Sequence, residues 1–284
     1  MSGAQRWKNW FYVPLLLMTI FYLLPLFIML NTSFKSFDEV DLQTMWNLPR
    51  GIYFDNFVAA YEQLAPALWN SVQLVVPGAL ISAFLGSVNG FILAKWKFPG
   101  ADFIFPFILF GMFIPYQSIL IPLVQFMRSV PAVPLPWGGE YQLYGSIGGL
   151  ILTHVIYGLP ITTLTFRNYF ASVPKELIEA ATIDGAGLVS TYRYILLPIS
   201  IPSFVVVLIW QFTAAWNDFL FAVVLTRPEN WPVTVALNNM AGSQIIAWNV
   251  QMAGAFLAAL PTLLVYIFLG RYFLRGLLAG ALKG

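Results

Sequence analysis

A chain of 284 residues that is 59% hydrophobic, only 9% charged and has a mean hydropathy of +0.76 carries too little polar surface for a soluble domain of that size. Its net charge of +2, with no basic cluster, excludes a nucleic-acid binder that works by neutralising phosphates. The lack of cysteine excludes disulfides, cysteine-ligated zinc and thiol catalysis, and a single histidine, His154, leaves no basis for a histidine-built metal site.

Arg6 and Lys8 precede an uncharged run from Trp10 to Leu30, which predicts a first membrane helix over 10–30. A cleaved signal peptide shares the basic start and apolar core. The length of the run, and the NTSFKSF that follows in place of a small-x-small cleavage site, favour an uncleaved anchor. From Thr32 to about Ala67 the chain turns polar and acidic, as an outside loop, in which FDNFVAAYEQL reads as a short amphipathic helix on the membrane surface.

A second span is expected over 68–93, ending at Lys95 and Lys97, and a third over 103–126. Pro106, Pro115 and Pro122 inside the third free backbone carbonyls and predict a kinked helix packed within protein. Arg128 to Tyr144, RSVPAVPLPWGGEYQLY, forms a second outside loop, stiffened by proline and tryptophan. The fourth span is expected over 145–164, the fifth over 202–225 and the sixth over 252–269, with a third outside loop before the last. The expected architecture is all-α, a single membrane domain of six spans covering 1–284.

Between the fourth and fifth spans lies a polar island, Ser172 to Pro198, SVPKELIEAATIDGAGLVSTYRYILLP. Pro174 suits a helix start, Glu176 and Glu179 favour the positive end of the helix dipole, and Asp184-Gly185 supplies a stop. The reading is helix, turn, helix. Leu177, Ala180, Ala181 and Asp184 share one side of the first helix, a mostly small face that lets another protein approach.

Six spans place both termini on one side. Ten Lys and Arg fall on that side (Arg6, Lys8, Lys95, Lys97, Arg167, Lys175, Arg193, Arg271, Arg275, Lys283), against Lys35, Arg50, Arg128 and Arg227 on the other. The termini and the polar island are therefore expected in the cytoplasm.

Several polar residues are candidates for a substrate path. His154 falls near the middle of the fourth span, where a polar group faces a cavity or bonds to a neighbouring helix, and both readings stand. Trp216, Asn217 and Asp218, towards the outer end of the fifth, serve either as interfacial anchors or as groups that stack on and hydrogen-bond a sugar. Gln117 and Gln211 are weaker candidates of the same kind. Gly86, Gly90, Ala253, Gly254, Ala255, Ala258 and Ala259 allow close helix packing.

Catalytic motifs are missing. No lysine follows a glycine, so G-x-x-x-x-G-K-[ST] is absent, as are H-E-x-x-H and G-x-S-x-G. Energy for transport must come from a partner or an ion gradient. An ion-driven transporter is expected to carry more intramembrane ionisable groups than His154 and Asp218.

The spacing of EAA (Glu179 to Ala181), three residues, Gly185, nine residues, then Ile195 to Pro198 resembles the EAA loop of the membrane subunits of binding-protein-dependent ABC importers. LPITTLTFRNYFASVPKELIEAATIDGAG, AAWNDFLFAVVLT and RYFLRGLLAGALKG resemble the carbohydrate branch that includes maltose-type permeases. PVTVALNN and the glycine-rich tail look most like the glucose/mannose type. The resemblance implies a multi-pass permease of the bacterial inner membrane that pairs with a second permease, a homodimeric ATPase holding ATP and magnesium, and a periplasmic or lipid-anchored sugar-binding protein. It places Glu179, Ala180, Ala181, Asp184 and Gly185 at the ATPase contact, with Ile195, Leu197 and Pro198 fixing the second helix. The cargo it implies is a monosaccharide such as glucose or mannose, with maltooligosaccharide or glycerol phosphate as alternatives. The resemblance implies no cofactor in this chain.

Overall fold

The computed structural model describes residues 3–136, 139–242 and 247–281. The side chains of Arg6, Lys8, Arg275 and Lys283, four of the cations weighed above, lie outside the described residues, as does part of the third outside loop. Almost all regular structure is helical, in keeping with a chain that must satisfy its backbone internally in hydrocarbon. Four helices contain stretches long and apolar enough to cross a membrane, Tyr12–Ser33, Asp55–Lys95, Ile147–Ser172 and Trp248–Tyr272. Two further helix pairs, each sharply bent, bring the number to six if each pair is counted as one span.

The chain divides into two compact units. The first comprises Met1–Pro66 and Ala236–Leu260. Helix α1 (Gly3–Ser33) has no buried residue in its most apolar stretch, so its surroundings are hydrocarbon or other subunits. Its C-terminal end is tied down by amides. Asn56 Nδ2 donates to the carbonyls of Ser33 at 2.9 Å and Lys35 at 2.8 Å, and Asn249 Nδ2 donates to Asn56 Oδ1 at 2.9 Å. Asn31 Nδ2 holds the carbonyls of Met45 and Asn47. Lys35, read above as one more loop charge, is only 1% exposed, and its Nζ donates to Thr44 O at 2.8 Å. It staples the loop from within.

The segment FDNFVAAYEQL is not a separate surface helix. It forms the first turns of α2 (Asp55–Lys95), an unbroken helix of 41 residues. The reason is packing, since Asn56, Ala60 and Leu64, four residues apart, are all buried. A Cβ on Gly254, in α12 (Trp248–Ala281), would stand 3.0 Å from Leu64 Cδ1, so glycine sets that approach.

The second unit comprises Ala67–Val235 and Pro261–Gly284. Its third predicted span is broken rather than kinked. Helices α3 (Ala101–Phe110) and α4 (Tyr116–Ser129) meet at 100°. Ile114 is extended (φ −75°, ψ 116°) because Pro115 disfavours a helical residue before it, and the 3-10 turn Gly111–Phe113 loses its continuation. A two-residue hairpin, β1 (Val133–Pro134) with β2 (Glu140–Tyr141), follows. Helix α5 (Ile147–Ser172) then starts behind Ser146, whose Oγ accepts the N–H of Gly149 as an N-cap.

Helix α6 (Lys175–Ile183) and α7 (Leu188–Thr191) follow, and α7 continues through a π turn (Tyr192–Leu196) into α8 (Leu197–Ile199). Helix α9 (Ile201–Trp216) leaves that run at 75°, with Ser200 at the elbow. The predicted fifth span is interrupted again at 217–219 before α10 (Leu220–Leu225). Helix α11 (Val233–Met240) comes after it. Close α2–α5 packing rests on two glycines. A Cβ on Gly86 would lie 2.3 Å from Thr162 Oγ1, and one on Gly90 would lie 2.6 Å from the backbone N of Arg167.

Candidate coupling loop and membrane polar cluster

The polar island folds into a helical knob whose turn is set by one residue. Gly185 has φ +79°, its N–H donates to Thr182 O at 3.0 Å, and the N–H of Ala186 reaches back to Ala181 O at 2.9 Å. This pair of bonds is the Schellman closure, which satisfies the last carbonyls of α6 and favours glycine at the left-handed position. A Cβ on Gly185 would meet no atom of this chain within 4 Å, so the turn opens outward. In the second helix, Pro198 cannot donate to the carbonyl four residues back. The chain widens to a π turn in which the N–H of Leu197 bonds to Tyr192 O.

The knob is clamped to the long helices. Leu196 is fully buried in a cluster with Phe91, Phe166, Phe170, Val173 and Val207, drawn from α2, α5, α9 and the loop itself. The Phe91 ring stacks on Tyr192 at 5.4 Å, and the Tyr192 hydroxyl donates to Ser87 Oγ at 3.0 Å. The Tyr169 hydroxyl donates to the carbonyl of Ile199 at the elbow. Lys95 Nζ donates to Val173 O at 2.7 Å, a cation placed on the C-terminal carbonyl of α5 where the helix dipole favours it. The loop is thus packed and hydrogen-bonded against α2, α5 and α9.

The predicted loop residues divide into two groups. Glu179, Ala180, Asp184, Gly185 and Pro198 are exposed, Ile195 and Leu197 are half-buried, and Ala181 is buried. Ala181 thus supports the knob from inside, because its small side chain sits where α6 rests on the chain. Sequence spacing missed the anchors Lys95 and Tyr169, which act through contacts far along the chain, and gave Leu196, inside the motif, no role of its own. It also missed three exposed apolar side chains. Ile183 (86% exposed), Val189 (74%) and Tyr194 (72%) present large apolar surface on a loop otherwise rich in charge. Such surface is costly in water unless a partner covers it.

The substrate-path candidates do not form one site. His154 Nε2 stands 3.4 Å from Asp218 Oδ2, with side chains 11% and 12% exposed, and its ring meets Phe221 edge-on. Asp218 also caps α10, accepting the N–H groups of Phe221 at 3.3 Å and Ala222 at 3.0 Å. Gln211 is buried, and its Nε2 donates to Gly158 O at 3.3 Å between α9 and α5. Trp216 is buried and stacks on Phe212 at 5.5 Å. Asn217, in the break after α9, and Gln117, in the first turn of α4, are exposed. Arg167, half-buried, lies 4.0 Å from the centre of the Phe105 ring.

The fold is that of a helical membrane protein with a polar helical knob packed against its long helices. Residues 78–278 match the family described as "binding-protein-dependent transport system inner membrane component", and the chain belongs to that family. A probable ABC transporter permease protein of Pyrococcus horikoshii is 45% identical over 96% of each chain. A xylose/arabinose import permease of Haloferax volcanii is 35% identical over 90% of this chain and 87% of its own. A glucose import system permease of Saccharolobus solfataricus is 32% identical over 94% and 92%. Among solved structures, a chain of a bacterial ABC transporter involved in alginate import superposes with a TM-score of 0.78 at 21% identity, covering 96% of this chain and 99% of that one. At that identity the likeness shows the fold.

Proposed function

We propose that this chain is the permease half of an ATP-driven importer of a neutral sugar, and that the loop 172–198 couples it to a cytoplasmic ATPase. The observation that carries the reading is the exposure of the apolar side chains Ile183, Val189 and Tyr194 on a knob packed against α2, α5 and α9. A partner that seats on Ile183, Val189 and Tyr194 gains apolar burial, and any displacement of the knob passes through Leu196, Lys95 and Tyr169 into α2, α5 and α9. Closure of an ATPase dimer then tilts those helices together and switches the accessible side. The termini and the knob face the cytoplasm on the charge balance of the loops, and the chain resides in the cytoplasmic membrane.

The chain itself does no hydrolysis, since it has no phosphate-cradling Gly-Lys loop. ATP and magnesium belong to the partner, a second permease completes the path, and an external sugar-binding protein delivers cargo. Support for sugar as cargo comes from relatives named for glucose and for xylose/arabinose import, which together span hexose and pentose. A glucose- or mannose-type hexose is the cargo implied by the resemblance of the PVTVALNN segment to the glucose/mannose type. The test is deletion of the gene, scored by uptake of radiolabelled glucose, mannose and xylose. Loss of one sugar, with binding by its soluble receptor intact, is the expected result. Unchanged uptake of all three, with loss of a maltooligosaccharide or glycerol phosphate, would replace the cargo and keep the class.

A further inference from the structure

A groove of about 1050 Å³ opens at the end of α5 opposite the knob, lined by the exposed face of α2, the segment around β2 and the loop after α10. Along α5 the separation from Gly148 to Val173 is roughly 37 Å at 1.5 Å per residue, so this groove is remote from the coupling loop. Trp69, Tyr141 and Tyr144 line it; the Arg128 guanidinium stacks on the Tyr144 ring at 4.2 Å, so the exposed rings of Trp69 and Tyr141 are the ones left for a ligand. Glu140, Glu229 and Arg227 line it as well. Among the described residues none of these three charges takes part in an ion pair, so all keep their hydrogen-bonding capacity.

The walls are fixed in advance. Asn70 Nδ2 donates to the carbonyls of Glu229 at 3.1 Å and Trp231 at 3.2 Å, which sets the loop after α10. Asn230 Nδ2 donates to Gly145 O at 2.8 Å, Gly145 N donates to Leu225 O at 2.8 Å, and Ser146 Oγ donates to the Tyr141 hydroxyl at 3.1 Å. Gly145 has φ +88°, and a Cβ there would stand 2.8 Å from Arg227 Nε, so the glycine makes room for the guanidinium.

We infer that this groove is a binding site for a neutral sugar on the outer face of the permease, an entry site separate from the His154 and Asp218 cluster. Aromatic rings offer faces to the C–H side of a pyranose or furanose. Carboxylates, a guanidinium and the amides of Gln73 and Gln142 offer acceptors and donors to its hydroxyls. Two carboxylates against one guanidinium leave the groove a net charge of −1, which disfavours an anion, whereas hydroxyls use both signs at once. The inference rests on the sugar-importer reading and adds a place where cargo is received, whether it arrives free or from the binding protein.

The test uses the assembled transporter in lipid nanodiscs and saturation-transfer NMR with D-glucose, D-xylose and methyl α-D-glucoside, with D-glucuronate as the charged comparator. At least one neutral sugar should show transfer and glucuronate should not. Trp69→Ala should weaken the apparent affinity at least about fivefold, equivalent to ~1 kcal/mol. Glu229→Gln should weaken it as well, and Trp69→Phe should retain it. Equal binding in Trp69→Ala, Glu229→Gln and wild type overturns the inference. So does a defect confined to capture of the soluble binding protein, which would make the groove a protein-docking surface. If the wild type imports a neutral sugar and yet shows no transfer to it, the groove assignment fails and the importer reading stands. If the transporter imports no sugar, that reading fails and takes the inference with it.

Discussion

Replacing Gly185 with valine isolates the turn of the knob from everything else in the chain. The left-handed conformation at φ +79° costs an L-residue on the order of 1–2 kcal/mol, and a β-branched one sits at the upper end. No atom lies within 4 Å of the new Cβ, so there is no clash to add. A loss of that size is small against the roughly 5–15 kcal/mol that holds a folded domain together, and the subunit should insert and pair normally. At the knob itself, 1–2 kcal/mol amounts to a factor of about 5–30 in the population of the closed turn. Added bulk also stands where the proposed ATPase contact lies. Gly185→Asn separates the two effects, because asparagine tolerates the left-handed region while still adding a side chain. Co-purification of ATPase subunits and transport in proteoliposomes provide the readout. Strain acting alone spares the asparagine variant and damages the valine one, whereas bulk damages both. Normal ATPase recovery and normal transport in both variants would refute the claim that this turn is a coupling surface.

Leu196→Ala should loosen the second helix of the knob, at a cost of about 2–5 kcal/mol for a fully buried leucine. Hydrogen exchange over 188–199 measures it, and unchanged protection would show that the clamp lies elsewhere. Lys35→Met removes the donor to Thr44 O and should raise protease sensitivity over 36–50, with a loss of roughly 1–3 kcal/mol and no effect on ATPase recovery. Gly90→Ala should destabilise the chain in detergent by about 1–3 kcal/mol, since its Cβ meets the backbone of Arg167. Gly78→Ala, where the Cβ meets nothing within 4 Å, should instead be neutral or gain up to ~1 kcal/mol from helix propensity.

The residue pattern alone determined what depends on local chemistry or on solvent. Apolar runs of membrane length marked the helices, because hydrocarbon leaves a backbone no other way to satisfy its polar groups. Asp184-Gly185 marked the end of α6, because only glycine adopts the left-handed turn cheaply. Pairings over long chain separations were beyond its reach. Nothing near Lys95 announces that its amine caps α5 at Val173, and nothing near Asn56 announces that it holds Ser33. Nor does local sequence distinguish Ala180, which is exposed, from Ala181, which is buried, because the surface that α6 rests on comes from other helices. The prolines showed that the third span would deviate, but its 100° break and the interruption at 217–219 depend on which neighbours receive the freed carbonyls and on the Asp218 cap. Local rules decide where helices start and stop. Which faces they bury, which polar groups they pair and which apolar residues stay uncovered are decided only when distant segments compete for the same space.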